Sequence, residues 1–146
     1  HLDNLQSEDA HADYGAMTFT LNQHPVKFRI AKVTPVKIGC FVAIWKKNSS
    51  DKNIPHDIED PFAIYIFHVE NKGRRGQFIF PKHILRQNNI ISEKGKGGKL
   101  GFRLYPAWDN AENKQAKKTQ AWQLPYFFEI KEQSSLVLPA ELLAAI

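Results

Sequence analysis

Between Lys72 and Arg103 the chain places nine Lys or Arg residues, Lys72, Arg74, Arg75, Lys82, Arg86, Lys94, Lys96, Lys99 and Arg103, against a single acid, Glu93. That stretch carries +8 in a 146-residue chain whose total is +5, so the remainder sums to −3 and the positive field is local. Lys and Arg that neutralise phosphates release the counterions condensed around a polyanion, so a concentrated field of this kind suits nucleic acid. A solvated basic loop has the same composition; recognition additionally needs planar and amide side chains beside the cations. Tyr105 and Trp108 follow Arg103 and offer faces on which bases stack, although core packing accounts for Trp108 and Trp122 as well. Gln115 lies in a run with Asn113, Lys114, Lys117, Lys118 and Gln120, amides and cations that suit adenine edges and phosphates, or simply water.

Other chemistries find less to stand on. The histidines form no HxxxH or HxH pair, and His56 and His83 read as surface residues, so the sequence points to no metal. Cys40 sits alone in the apolar run Gly39-Cys40-Phe41-Val42-Ala43-Ile44-Trp45, where packing is its natural role. No GxSxG, Walker or GxGxxG string occurs, and Gly95-Lys96-Gly97-Gly98-Lys99 lacks the strand-to-helix context and hydroxyl of a phosphate loop. It reads as a mobile basic loop, and no cofactor is expected.

The elements that must hold these residues are mostly strands. Leu2 to Asp13, with two leucines among scattered acids, reads as a short amphipathic helix. Met17 to Leu21 and Val26 to Ile30 alternate around the turn residues Asn22 to Pro25, a hairpin signature. Cys40 to Trp45 suits a strand buried on both faces. Lys46 to Pro61 reads as loop, and Phe62 to Val69 and Gln77 to Phe80 as strands joined by the basic turn Asn71 to Gly76. After Pro81, Ile84, Leu85, Ile90 and Ile91 fall on one helical stripe. A strand over Leu100 to Tyr105 follows, then a helix capped by Asp109 with Glu112 three residues on, running to about Trp122. Tyr126 to Ile130 reads as a strand and Pro139 to Ile146 as a short helix.

Length and composition fit one domain, 1–146, with an α+β fold built on a mixed, largely antiparallel sheet flanked by helices. A single thiol excludes an internal disulfide framework, the apolar runs are too short to span a bilayer, and the acidic amino-terminal segment is unlike a signal peptide, so the expected compartment is the cytoplasm with no membrane partner.

Four strings in fixed order, Phe28-Arg29-Ile30-Ala31-Lys32-Val33-Thr34-Pro35, Gly76-Gln77-Phe78-Ile79-Phe80-Pro81-Lys82, Arg103-Leu104-Tyr105-Pro106-Ala107-Trp108 and Thr119-Gln120-Ala121-Trp122-Gln123, resemble the MepB family of small bacterial proteins over roughly Tyr14 to Phe128. The resemblance implies a fold like that of a degenerate type II restriction endonuclease, with nucleic-acid binding rather than cleavage. Such nucleases hold Mg²⁺ with an Asp and an acid-x-Lys trio. Ile30-Ala31-Lys32 and Phe80-Pro81-Lys82 keep the lysine but carry an apolar residue where the acid belongs. One literal match, Glu70-Asn71-Lys72 with Asp57 and Asp60 upstream, leaves open a Mg-dependent nuclease using Asp60, Glu70 and Lys72, or reads as a charged strand exit. The reading carried forward is a protein binding nucleic acid, DNA before RNA, through Lys32, Arg74, Arg75, Lys82, Arg86, Lys96, Lys99, Arg103, Tyr105, Trp108 and Gln115, with no catalytic residues and no metal. An acidic partner or ligand docking on the same basic face is the remaining alternative.

Overall fold

The computed structural model describes residues 2–8 and 13–131. Eleven strands and two α-helices are defined among them, giving a mixed α+β fold whose sheets are largely antiparallel. The principal sheet has six strands in the order β1 (Leu2–Ser7), β2 (Met17–Leu21), β3 (His24–Ile30), β8 (Ile64–Asn71), β9 (Arg74–Pro81), β11 (Phe127–Ile130). Only β3 and β8 run parallel; the other neighbours are antiparallel. Two hairpins fix its registers. Leu21 pairs with His24 around Asn22-Gln23, and Asn71 with Arg74 around Lys72-Gly73, and all four turn residues have positive φ, the geometry whose twist matches the flanking strands.

The strands buried on both faces are β8 and β9. Tyr65, Phe67 and Val69 alternate with Ile64 and Ile66, so one face of β8 joins a core with Phe78, Phe80, Leu85, Ile90 and Leu104, and the other a core with Phe19, Val26 and Ile79. Double burial was expected of Cys40 to Trp45 instead. There the chain forms β5 (Cys40–Ala43), with Cys40 and Val42 buried but Phe41 and Ala43 half-buried, and then leaves for β6 (Trp45–Lys47), which pairs with β7 (Asn53–Pro55) inside the expected loop. Burial pushes the Cys40 thiol up to about 11, in keeping with a packing role.

A second sheet, β10 (Gly101–Leu104), β5, β4 (Lys32–Val33), packs over the first through Cys40, Val42, Phe102 and Leu104, and Phe67 meets Phe102 edge-on at 5.3 Å. Its other face carries Arg103, Phe41 and Lys32, directly opposite one another across the three strands.

The amino-terminal helix expected over Leu2 to Asp13 is, in its described part, the edge strand β1 paired with β2; residues 9–12 lie outside the described residues. Helix α1 (Lys82–Gln87) is shorter than its apolar stripe suggested: Pro81 is the cap residue rather than the first helical one, and Ile90 and Ile91 are buried beyond its end. Helix α2 (Lys114–Gln123) is capped by Asn113, whose Oδ1 accepts from Ala116 N at 2.8 Å, not by Asp109. The helix expected at Pro139 to Ile146 lies outside the described residues. No helix among the described residues is long and apolar enough to cross a membrane.

Candidate nucleic-acid interface

The seam between β10 and α2 is built by buried amides. Gln123, with no exposure, donates from Nε2 to Arg103 O and accepts at Oε1 from Tyr105 N, both at 2.9 Å, so it completes the edge of β10 as another strand would. One turn earlier Gln120 Nε2 donates to the carbonyls of Pro106 at 3.0 Å and Asp109 at 2.9 Å. Asn113 and Gln120, suggested by the sequence for adenine edges, are therefore occupied in holding the fold. Gln115 remains turned to the cleft.

That cleft is the central of three adjoining depressions. It measures about 480 Å³, is lined by Lys99, Arg103, Tyr105, Gln115, Lys118 and Trp122 among others, and has no acid in its wall. A second depression of about 430 Å³ shares Arg103, Tyr105 and Gln115 with it and continues to Val36 and Lys37, with Glu112 at its rim. A third, of about 400 Å³, contains Arg86, Lys94, Lys96 and Glu93 and shares Asn89 with the central one. Six of the eleven expected residues, Arg86, Lys96, Lys99, Arg103, Tyr105 and Gln115, thus line one continuous surface.

Within it the cations differ. Lys96, Lys99 and Lys118 have no ion-pair partner among the described residues. Arg86 faces Glu93 at 3.4 Å. Arg103 braces the loop after β4, its Nη1 donating to Thr34 Oγ1 at 3.0 Å and Ile38 O at 3.2 Å. The Tyr105 ring lies on Gly39, where φ is +94° and a Cβ would fall 3.0 Å from the ring and 2.8 Å from Leu104 O; only glycine allows that approach.

The other five expected residues lie outside these depressions. Arg74 holds Glu129 with two guanidinium nitrogens, at 2.8 and 3.2 Å, and covers the Trp108 ring at 5.1 Å. Trp108 also meets Phe127 edge-on at 5.5 Å, so its face is not free to stack on a base. Arg75 is a strand residue opposite Glu70. Lys32 pairs with Asp13 at 3.0 Å and sits over the Tyr14 ring, and Lys82 opens α1. The sequence did carry a signal for the α2 side of the cleft: Gln115, Lys118, Thr119 and Trp122 recur at helical spacing and present one face of α2 to it.

The metal-site alternative is corrected by geometry. Asp60 precedes β8 and Glu70 stands near its far end, so about 20 Å of extended strand separates them, and Lys72 lies in the turn beyond. Asp60 is instead held by His56, by Lys46 at 2.5 Å and by Asp57 N at 3.0 Å, which against the effect of burial keep its carboxyl well below the usual range, and Glu70 pairs with His68 at 2.9 Å. No group of His, Cys, Asp and Glu suited to a metal ion forms among the described residues.

His56 is not a surface histidine. It is 1% exposed, edge-on to Tyr65 at 5.9 Å, with Nδ1 3.4 Å from Asp60 Oδ2. Burial lowers its pKa, and nearby Lys27 and Arg29 add to that against the pull of Asp60. The adjoining segment anchors the basic loop: Ser92 N donates to His56 O at 2.8 Å, and Ser92 Oγ donates to Asp57 Oδ1 at 2.7 Å. The Lys-Gly tract expected to be mobile is stapled at its far end as well, where Gly98 N donates to Asn89 Oδ1 at 2.9 Å.

No curated protein matches this sequence. Among solved structures, one described as the crystal structure of MepB is similar to this chain with a TM-score of 0.86 and 34% sequence identity, over 90% of this chain and 89% of that one. The MepB-like family model matches residues 8–129, a span that contains every strand but β1 and the last residue of β11, together with the buried glutamine seam and the three depressions, and the chain belongs to the MepB-like family.

Proposed function

We propose that this protein binds nucleic acid non-covalently, DNA before RNA, along the surface between β10, α2 and the Lys94–Lys99 loop. The observation that carries the reading is the acid-free central cleft, where Lys99 and Lys118 stand unpaired beside Tyr105 and Gln115. Ammonium groups free of internal partners can neutralise phosphate without breaking an existing contact, while a ring and an amide at the same place meet a base. The resemblance to restriction endonucleases enters this reading as a binding scaffold in the cytoplasm that lacks the paired acids of a metal site. The test is fluorescence polarisation with labelled oligonucleotides at two salt concentrations. Binding is expected to weaken as salt rises, and Lys99→Glu with Lys118→Glu is expected to abolish it while leaving the urea midpoint unchanged. No binding at low salt, or binding indifferent to these two charges, overturns the proposal.

A further inference from the structure

We infer that the ligand of this surface is an unpaired strand, with bases seated in the two depressions that share Tyr105; the inference rests on the nucleic-acid reading above. Three observations bear on it. First, the three depressions, about 400, 480 and 430 Å³, each fall within the range that holds a small ligand, roughly 300–1,000 Å³, and adjoin through shared walls, Asn89 on one side and Arg103, Tyr105 and Gln115 on the other. A surface divided at residue intervals matches a chain of separate flat groups better than a cylinder. Second, Tyr105 and Trp122 are half-buried in the walls. In a duplex the base faces are covered by their neighbours, so a recessed ring meets only backbone, whereas an unpaired base turns its face outward and can enter. Third, Glu93 lines one end depression and Glu112 the other, leaving the central one free of acid. Acids at both ends oppose the unbroken phosphate track of a duplex. A single strand can rotate its phosphates toward Lys99 and Lys118 and its bases inward.

Tyr105 is built for this task. Its amide is fixed by Gln123, its carbonyl lies 3.4 Å from Gln120 Nε2, and its ring rests on Gly39, so its orientation is set before a ligand arrives.

The experiment compares one ten-residue mixed-sequence DNA as a single strand and as a duplex, by fluorescence polarisation at one salt concentration, with the wild type, Tyr105→Ala, Tyr105→Phe and Lys99→Glu. The single strand is expected to bind at least tenfold more tightly than the duplex. Tyr105→Ala is expected to lose about 5- to 100-fold on the single strand with little change on the duplex, and Tyr105→Phe, which keeps the ring, to stay within about twofold of wild type. Lys99→Glu weakens both forms. Equal or tighter duplex binding that still falls in Lys99→Glu overturns the inference and leaves the nucleic-acid reading standing; failure of both forms to bind overturns the reading itself. Should Tyr105→Ala be unfolded by circular dichroism, Tyr105→Leu takes its place, and full single-strand affinity in that variant also overturns the inference.

Discussion

Replacing Gln123 with Leu tests the seam on which the whole surface hangs. The side chain has no exposure, and its amide makes one bond to Arg103 O and one to Tyr105 N, each at 2.9 Å. Leucine fills nearly the same volume but leaves both backbone groups without a partner beneath a side chain that admits no water. Each unmet buried group costs about 1–3 kcal/mol, so the variant is expected to lose about 2–5 kcal/mol. For a domain of this size that lowers the melting temperature by roughly 5–15 °C. Urea denaturation followed by tryptophan fluorescence measures it, with an unchanged slope showing that the unfolded state is not altered. Gln123→Glu adds a directional check. A carboxylate still accepts from Tyr105 N but faces Arg103 O without a donor, and burial raises its folded pKa above the unfolded value. The variant should therefore come closest to wild type below about pH 4.3, where the protonated acid donates as the amide does, and fall behind as pH rises. A loss below about 0.5 kcal/mol in Gln123→Leu, or a Glu variant that trails wild type equally at every pH, refutes the seam.

Two further perturbations follow from the same structure. His56 is buried with its pKa lowered by desolvation, so the unfolded chain binds a proton that the folded one resists. Stability contributed by the neutral ring is complete above about pH 6.5 and declines as pH falls, by at most about 1.4 kcal/mol per pH unit, and His56→Gln removes that decline in urea titrations between pH 7 and 5. Asn113→Ala deletes the cap bond to Ala116 N and should cost about 1 kcal/mol by denaturant unfolding, whereas Asp109→Asn, at the position the sequence favoured as cap, should not reproduce that loss.

The parts of the fold legible in the sequence are those where a local pattern and a local turn agree. The β2–β3 and β8–β9 hairpins combine alternating or apolar runs with turn residues that accept positive φ, and both formed, with the expected turns Asn22 to Pro25 and Asn71 to Gly76 narrowed to Asn22-Gln23 and Lys72-Gly73. Strand β1 was illegible because every one of its residues is exposed: pairing with β2 is made by backbone, and no apolar period records it. The both-face burial assigned to Cys40 to Trp45 went astray for the opposite reason. Its apolar run is real, but Phe41 is turned outward, its ring lying over Gly101, where a Cβ would sit 2.5 Å from the ring. The choice between Asp109 and Asn113 as cap could not be made locally, since both suit the role. It is decided by the turn in which Asp109 N bonds Pro106 O, while Gln120 takes the Asp109 carbonyl.

Charge counting picked out a stretch from which Arg86, Lys94, Lys96, Lys99 and Arg103 line the adjoining depressions, but not which of its charges are already paired, because ion pairing here is long-range. Arg74 finds Glu129 across 55 residues, and Lys32 finds Asp13 across 19. This distinction has a measurable consequence. A cation already paired must break a contact before it can displace counterions, so Arg74 and Arg86 contribute less than their formal charge. If all nine cations of that segment engaged a duplex, the logarithm of affinity would fall with the logarithm of salt at a slope of about −8; if only Lys96, Lys99 and Lys118 engage an unpaired strand, the slope is about −2. Lys99→Gln should then reduce the slope by about 0.7, and Arg74→Gln should leave it unchanged, since Arg74 spends its charge on Glu129. A wild-type slope steeper than about −5, or one that Arg74→Gln reduces as much as Lys99→Gln does, means that the paired cations open to meet the ligand and that the division between paired and unpaired charges does not govern binding.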